Sequence, residues 1–143
     1  MEVLIDTNVA LDVILNNAGF VANARVILEL AEQKRFIGYI SASAITDIFY
    51  ISQKRLGKKI ARESINHLLH IFSPATVTGD NIYQALDLEW EDFEDSVQYI
   101  VGESFSVDYI VTRNTKDFTA DILSDGSINI VTPEQFIKII TNK

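Results

Sequence analysis

The sequence contains no cysteine and only two histidines, and both shortages restrict its chemistry. Without cysteine there is no disulfide framework, no thiolate zinc site and no cysteine nucleophile. The histidines, His67 and His70, lie three residues apart in a leucine-rich helical stretch, which leaves little for a histidine-based metal site. The sequence therefore offers no basis for a site built on cysteine or histidine.

Long apolar runs and nucleotide-binding glycine motifs are also missing. No window approaches the roughly twenty apolar residues of a membrane span, and the first residues have no basic segment and too short an apolar run for a signal peptide. We therefore expect a soluble, cytoplasmic protein. The six glycines form neither a dinucleotide fingerprint nor a phosphate-binding loop, and the Gly-x-Ser-x-Gly motif of serine hydrolases is absent.

The length of the chain indicates a single domain, and its acidic residues are unevenly distributed along the sequence. The chain has 143 residues, of which 48% are apolar, so we expect one α/β domain spanning residues 1–143. The net charge of −8 argues against a simple nucleic-acid coat protein, which needs a cationic surface. Residues 80–143 hold thirteen of the twenty Asp and Glu residues. Such clustered carboxylates form either a solvated surface or a cation site.

Short apolar runs alternate with helical patterns along the whole chain. Strands are predicted at residues 3–5, 37–40, 75–78, 109–111 and 128–131, with helices between them. Helix starts are indicated by Thr78, Asp92 and the pair Thr132-Pro133. This alternation predicts a three-layer α/β/α fold around a mostly parallel sheet of about five short strands. In such sheets, function gathers at the carboxyl ends of the strands.

Carboxylates from four separate stretches are expected near that edge. Asp6 follows the first strand, Asp47 lies early in the helix after the second, Asp92 and Asp95 open a later helix, and Asp117 follows the fourth strand. Without compensation, such a cluster would repel itself and raise its pKa values. A divalent cation removes this penalty, and an all-oxygen ligand set suits Mg²⁺ or Mn²⁺.

Each carboxylate also has an ordinary structural explanation. Asp6 and Asp92 can cap helices, Asp95 can be the capping-box partner of Asp92, and Asp117 can belong to a turn. Asp47 is harder to explain in this way, because its helical neighbours are apolar and we expect it to lean toward the buried side. For any one of these residues alone, both explanations stay open.

Four segments together resemble the PIN-domain ribonucleases, including the VapC-like toxin nucleases. They are Val-Leu-Ile-Asp-Thr-Asn at 3–8, Ser-Ala-Ser-Ala-Ile-Thr-Asp at 41–47, Asp-Phe-Glu-Asp-Ser-Val-Gln-Tyr at 92–99 and Ile-Val-Thr-Arg-Asn-Thr-Lys-Asp-Phe at 110–118. The match covers essentially the whole chain and rests on the order and spacing of the segments. It implies a PIN-like fold and a metal-dependent endoribonuclease, the toxin of a toxin–antitoxin pair, with RNA as substrate and an antitoxin as partner.

The resemblance also implies roles for individual residues. It places the catalytic acids at Asp6, Asp47, Asp95 and Asp117, with Asp6 and Asp95 holding Mg²⁺ or Mn²⁺. The residues expected to orient these carboxylates are Asn8, Asp92, Thr112 and Asn114.

Two departures from the family pattern keep other functions open. Asp47 stands where the family most often has Glu, and Asn114 stands where many members have Asp. The alternative to a nuclease is therefore a catalytically weak PIN domain that binds RNA or protein without cutting. Phosphatase or phosphotransfer chemistry is a third possibility, but its motifs are missing.

Basic residues and large apolar residues suggest two further surfaces. Five cations fall within nine positions, and we predict either a solvated corner or a phosphate-tracking surface formed by Lys54, Arg55, Lys58, Lys59 and Arg62. On the other side of the site, Arg113 and Lys116 are predicted to neutralise RNA phosphate. A homodimer is expected from an excess of large apolar groups, namely Phe20, Val21, Phe36, Phe49, Tyr50 and Phe72.

Overall fold

The computed structural model describes residues 1–118 and 128–142. In these ranges the strands are β1 (Glu2–Ile5), β2 (Ile37–Ser41), β3 (Ser73–Ala75), β4 (Tyr109–Val111) and β5 (Asn129–Val131). The helices are α1 (Thr7–Ile14), α2 (Val21–Glu32), α3 (Ala42–Leu56), α4 (Lys58–Ile71), α5 (Gly79–Asp87), α6 (Phe93–Ser104) and α7 (Pro133–Thr141), with a 3₁₀ turn at Thr115–Asp117. Within the described ranges, no helix is long and apolar enough to cross a membrane.

All strand pairs that the structure describes are parallel, in the order β3-β2-β1-β4-β5. The chain moves outward from β1 to β3 and then returns to the other side of β1 with β4. This reversal makes the β1–β4 junction the topological switch point of the sheet, and a crevice is expected there at the carboxyl ends of the strands.

Helices cover both faces of the sheet, because the central strand is apolar on both sides. Val3 and Ile5 of β1 pack into a core shared with α1, α2, α3, α4 and α7. Leu4 points to the opposite face and packs into a second core with α5 and α6. A central strand buried on both faces is typical of a parallel sheet. The predicted three-layer α/β/α fold is confirmed.

The predicted helix starts are confirmed, whereas the third strand was misplaced. Thr78 and Thr132 each form a capping box, and Pro133 occupies the first turn of α7. The third strand was predicted at 75–78 but lies at Ser73–Ala75, on the edge of the sheet. Pro74 can lie in this strand because an edge strand tolerates a residue without a backbone N–H.

Candidate active site

Asp6 lies at the switch point, at the carboxyl end of β1. Its backbone N–H donates to the carbonyl of Val111 on β4, which ties the two strands together. The side chain is only 4% exposed, and it caps α1 as Oδ1 accepts from the N–H of Thr7 at 2.7 Å. The same oxygen accepts from Nε2 of Gln98 at 3.2 Å. The helix-capping explanation is therefore correct for Asp6, and it is compatible with a role in a site.

The second carboxylate oxygen of Asp6 is held by the loop after β4. Thr112 donates its hydroxyl to Oδ2 at 2.7 Å, and Asn8 donates its amide at 3.3 Å. Asn8 also donates to the Thr112 hydroxyl oxygen, which accepts from the backbone N–H of Asn114 as well. Asn8 and Thr112 thus contact Asp6 directly, whereas the hydrogen bond from Asn114 comes from its backbone. Four donors fix the orientation of the Asp6 carboxylate.

Three carboxylates beside Asp6 form what we call the acid cluster, consisting of Asp92, Asp95 and Asp117. One oxygen from each lies within 4.8 Å of the others. Asp92 caps α6, because its Oδ1 accepts from the N–H of Asp95 at 3.1 Å. Asp95 is buried, whereas Asp92 and Asp117 are exposed. The tertiary fold therefore brings the start of α6 next to the 3₁₀ turn after β4. A cation site requires such a convergence of carboxylate oxygens.

The pKa of Asp95 is raised to about 8. Burial is the largest cause, and the negative charges of Asp6, Asp92 and Asp117 add to it. Burial also raises the pKa of Asp6, although the hydrogen bonds from Thr112, Thr7 and Gln98 act in the opposite direction. A positive charge in the crevice would relieve this repulsion.

Asp47 lies elsewhere than the sequence predicted. The buried stripe of α3 runs through Ala44, Ile48 and Ser52, and Asp47 lies off that stripe, exposed to solvent. The expectation that it leans toward the buried side was wrong, because this stripe is narrower than the apolar pattern suggested. Its charge nevertheless acts on the site, since burial and then Asp47 raise the pKa of Glu94.

Glu94 and Gln98 also lie in the candidate site, although neither was predicted from the sequence. Glu94 accepts from the Thr7 hydroxyl at 3.3 Å, and its pKa is also raised by Asp6. Gln98 is buried against Asp6, as described above. The two residues are four apart on α6, and residues at that spacing share a helix face. Because Glu94 is next to Asp95 in the first turn of α6, this spacing was the signal in the sequence that could have placed both residues near the acids.

Arg113 has a different role from the one predicted. Its Nε donates to Oδ2 of Asp12 at 2.7 Å, and its Nη2 donates to Oδ1 at 3.1 Å. Asp12 is 1% exposed, and the guanidinium lies 4.0 Å from the ring centroid of Phe20. Arg113 thus neutralises the buried carboxylate of Asp12. Its charge is used in this structural ion pair, whereas the sequence predicted a cation free to bind phosphate.

The other predicted basic residues are exposed. Lys54 lies in the last turn of α3, with its ammonium 4.7 Å from the ring centroid of Tyr50. In the part of the chain that the structure describes, ion pairs involve Arg113 and Lys138 only. Exposed charges without an acidic partner are therefore carried by Lys54, Arg55, Lys58, Lys59, Arg62 and Lys116.

We expect the metal-free protein to lose stability as the pH rises from about 4 to about 8. The folded chain holds the Asp95 proton up to a pKa of about 8, whereas its ordinary value is 3.8. Between these values the unfolded chain binds fewer protons, so the free energy of unfolding falls with rising pH, and we expect the melting temperature to drop by about 5 °C.

Circular-dichroism melting in EDTA at several pH values measures this trend. Asp95→Asn removes the titrating group and should flatten it. Adding Mn²⁺ at pH 8 should restore the lost stability, because a ligand that binds only the folded state stabilises it. A melting temperature that rises steadily over this interval would contradict the repulsion inferred at Asp95.

Comparison with known proteins agrees with this architecture. A family model described as PIN domain matches residues 2–116. VapC20 of Mycobacterium tuberculosis, a toxin that cleaves the sarcin–ricin loop, superposes with a TM-score of 0.63 at 15% identity, covering 87% of this chain and 95% of that one. No curated protein sequence matches significantly.

Chains from two toxin–antitoxin complexes are similar as well. One, from Klebsiella pneumoniae, has a TM-score of 0.66 at 20% identity and covers 92% of this chain and 97% of its own. The other, a DNA-bound VapBC complex from Salmonella typhimurium, has a TM-score of 0.69 at 15% identity and covers 93% and 98%. At these identities the structural likeness shows the fold, whereas the family-model match spans most of the sequence. The chain belongs to the PIN domain family.

Proposed function

We propose that this protein is a metal-dependent endoribonuclease that hydrolyses phosphodiester bonds in RNA. The observation that carries the proposal is the acid cluster beside Asp6, at the switch point of a PIN domain sheet. All of its donor atoms are carboxylate oxygens, which are the ligands that Mg²⁺ and Mn²⁺ prefer. The raised pKa of Asp95 fits a cation site, because a bound cation would compensate the repulsion.

The residues divide into those that hold the ion and those that orient the reacting groups. Asp92, Asp95 and Asp117 would hold Mg²⁺ or Mn²⁺, and Asp6 would contact the ion directly or through its waters. A divalent ion in such a site supplies a polarised phosphoryl oxygen and a water of lowered pKa. Asp6 keeps one carboxylate geometry because four donors hold it.

A second acidic pair is suited to handling the attacking water. Glu94 on α6 and Asp47 on α3 lie close enough for the charge of one to raise the pKa of the other. A carboxylate with a raised pKa accepts a proton from water more readily than an ordinary one. We assign Glu94 this role, with Asp47 as its electrostatic partner.

RNA cleavage by the purified chain tests the proposal. Labelled total RNA is incubated with Mg²⁺, with Mn²⁺ or with EDTA, and the products are separated on a denaturing gel. Discrete fragments that need metal are expected. Glu94→Gln should slow cleavage by about 100-fold with metal affinity little changed, because it keeps the shape but cannot accept the proton. Equal cleavage in EDTA would contradict the proposal.

The toxin role is the finer part of the proposal. Similar folds occur in chains of toxin–antitoxin complexes from Klebsiella pneumoniae and Salmonella typhimurium. We infer that this chain has an antitoxin partner encoded beside it. Growth arrest on expression of the chain, relieved by co-expression of a small DNA-binding protein from the adjacent reading frame, is the expected result.

A PIN domain that binds RNA or protein without cutting is the second candidate. It is favoured by Asn114, which supplies no charge, and by Asp47, which is shorter than the family's usual Glu and exposed. Calorimetric titration separates the two functions. Saturable Mn²⁺ binding without cleavage of any RNA would favour the binding module, whereas binding together with metal-dependent cleavage favours the nuclease.

The basic cluster on α3 and α4 is proposed to track RNA phosphates. Lys58 and Lys59 are exposed at the start of α4 and have no acidic partner in the described ranges. Changing both to Glu should weaken RNA binding for all sequences and flatten its salt dependence, because phosphate contacts release counterions. Affinity measured from low to high salt checks this, with metal affinity expected to stay the same. Unaltered binding at low salt would assign these residues to ordinary surface.

Dimerisation through exposed aromatic residues is also proposed, on a smaller set than the sequence suggested. Phe36 and Phe72 are buried in the core and cannot pair subunits. Phe20 and Tyr50 are exposed. Light scattering at high micromolar concentration should give the mass of a dimer. A monomer, or a dimer unaffected by Tyr50→Ser, would show that these side chains are not the contact.

A further inference from the structure

Phe93 is an exposed aromatic residue at the edge of the acid cluster. It is the first residue of α6, is 44% exposed, and belongs to neither hydrophobic core. Its side chain borders an open depression of about 580 Å³, which is also lined by Glu91, Asp92, Lys116 and Asp117. An aromatic ring and an ammonium group therefore share one depression with two of the proposed metal-binding carboxylates.

The depression lies between two segments, residues 91–93 and residues 116–117, which we call its walls, and both are held by the buried ring of Trp90. Trp90 directly precedes the first wall, and its ring lies 5.3 Å from that of Tyr99 on α6. Trp90 also packs edge-on against Phe118 at 5.6 Å, and Phe118 directly follows the wall that contains Lys116. These contacts fix the two walls relative to each other before any ligand arrives, which lowers the entropy cost of binding.

The ring of Phe93 has no aromatic partner of its own in the described ranges. Lys116 likewise forms no ion pair there. Three carboxylates face one ammonium in the depression, so a free anion is not attracted to it. An uncharged planar group attached to a phosphate fits better. The planar group can stack on the ring of Phe93, and the phosphate can pair with the ammonium of Lys116.

We propose that Phe93 is the platform on which an unpaired base of single-stranded RNA stacks, next to the phosphodiester that is cut, with Lys116 on an adjoining phosphate. This inference rests on the proposed ribonuclease function and names two residues that position the RNA for it. A base within a duplex is already paired and stacked, so this platform selects unpaired segments of RNA.

RNA binding by variants of Phe93 tests the inference. The probe is a fluorescein-labelled single-stranded RNA of mixed sequence, about 12 nucleotides long, measured by anisotropy with Mg²⁺. Asp95→Asn serves as the parent, so that the RNA stays intact. Phe93→Ala and Phe93→Leu should each raise the Kd about tenfold, whereas Phe93→Tyr, which keeps the ring, should stay within about twofold. Binding of the matched duplex should not change in any variant.

Tyr83→Ala is the matched control. Tyr83 is an aromatic residue on α5 that is 71% exposed and does not line the depression, so its loss should leave the Kd unchanged. Melting temperatures equal to that of the parent would show that the Phe93 variants are folded. Because Phe93 is exposed, no stability loss is expected.

The outcomes separate this inference from the proposed function. Unchanged single-strand affinity in Phe93→Ala, or full affinity in Phe93→Leu, would overturn the stacking role. If the wild type cleaves RNA with metal and either result is found, only the stacking inference fails. If the wild type neither cleaves nor binds RNA, the proposed function fails and the inference fails with it.

Discussion

Replacing Asp95 with Asn is expected to abolish metal-dependent RNA cleavage while making the metal-free protein more stable. Asp95 is 7% exposed, and its pKa is raised to about 8 by burial and then by the surrounding carboxylates. The amide has nearly the same shape but no charge, so it removes the repulsion together with a proposed ligand for the cation. Cleavage should fall by about 100-fold or more, because the metal contributes several kcal/mol to transition-state stabilisation.

The gain in stability distinguishes a site residue from a structural one. At pH 8 in EDTA, the melting temperature of Asp95→Asn should exceed that of the wild type by about 5 °C. Asp87→Asn removes an exposed charge on α5 that is not among those raising the pKa of Asp95, so it should change neither the melting temperature nor cleavage. A lower melting temperature for Asp95→Asn would assign its carboxylate a structural role, and retained cleavage would remove it from the site.

Asp6→Asn provides the contrasting case. Asp6 accepts hydrogen bonds from Thr7, Gln98, Thr112 and Asn8, and the amide nitrogen of Asn would face two of these donors without accepting from them. We expect Asp6→Asn to lose cleavage without gaining stability, because the lost hydrogen bonds offset the lost repulsion. The two variants thus separate electrostatic relief from loss of hydrogen bonding.

Replacing Arg113 with Ala is expected to lower the free energy of unfolding by about 3 kcal/mol or more, because it leaves a buried carboxylate without its cation. Asp12 is 1% exposed, and Asn17 would remain as its side-chain donor at 2.8 Å. Arg113 also stacks on Phe20, so the substitution removes packing as well as charge. Urea unfolding monitored by circular dichroism measures the loss.

A double variant shows whether the loss comes from the unpaired charge. Asp12→Leu combined with Arg113→Met replaces the pair with apolar groups, and such replacements are often neutral or stabilising. We expect the double variant to recover much of the stability that Arg113→Ala loses. If Arg113 instead served mainly to bind RNA, Arg113→Ala would weaken RNA affinity while the unfolding curve stayed at its wild-type position.

Much of the fold could be predicted from the sequence because its signals are local. Val3 to Ile5 are apolar on both faces, which identifies a central parallel strand without knowledge of its neighbours. Thr132 and Pro133 mark the start of α7 through hydrogen bonds and backbone angles that lie within one helical turn. The third strand was misplaced because Val77 and Thr78 are β-branched residues typical of strands, although they lie beyond the residues that pair with β2.

The site was predictable only in part, because its contacts connect distant parts of the chain. The sequence by itself determined that Asp6 ends a strand at the functional edge and that Asp95 lies in the first turn of a helix. Only the tertiary structure decided that Asp117 joins Asp92 and Asp95, that Arg113 belongs to Asp12 across 101 positions, and that Asp47 faces solvent. Local patterns specify helices, strands and caps, whereas the packing of α6 against the loop after β4 decides which charges meet.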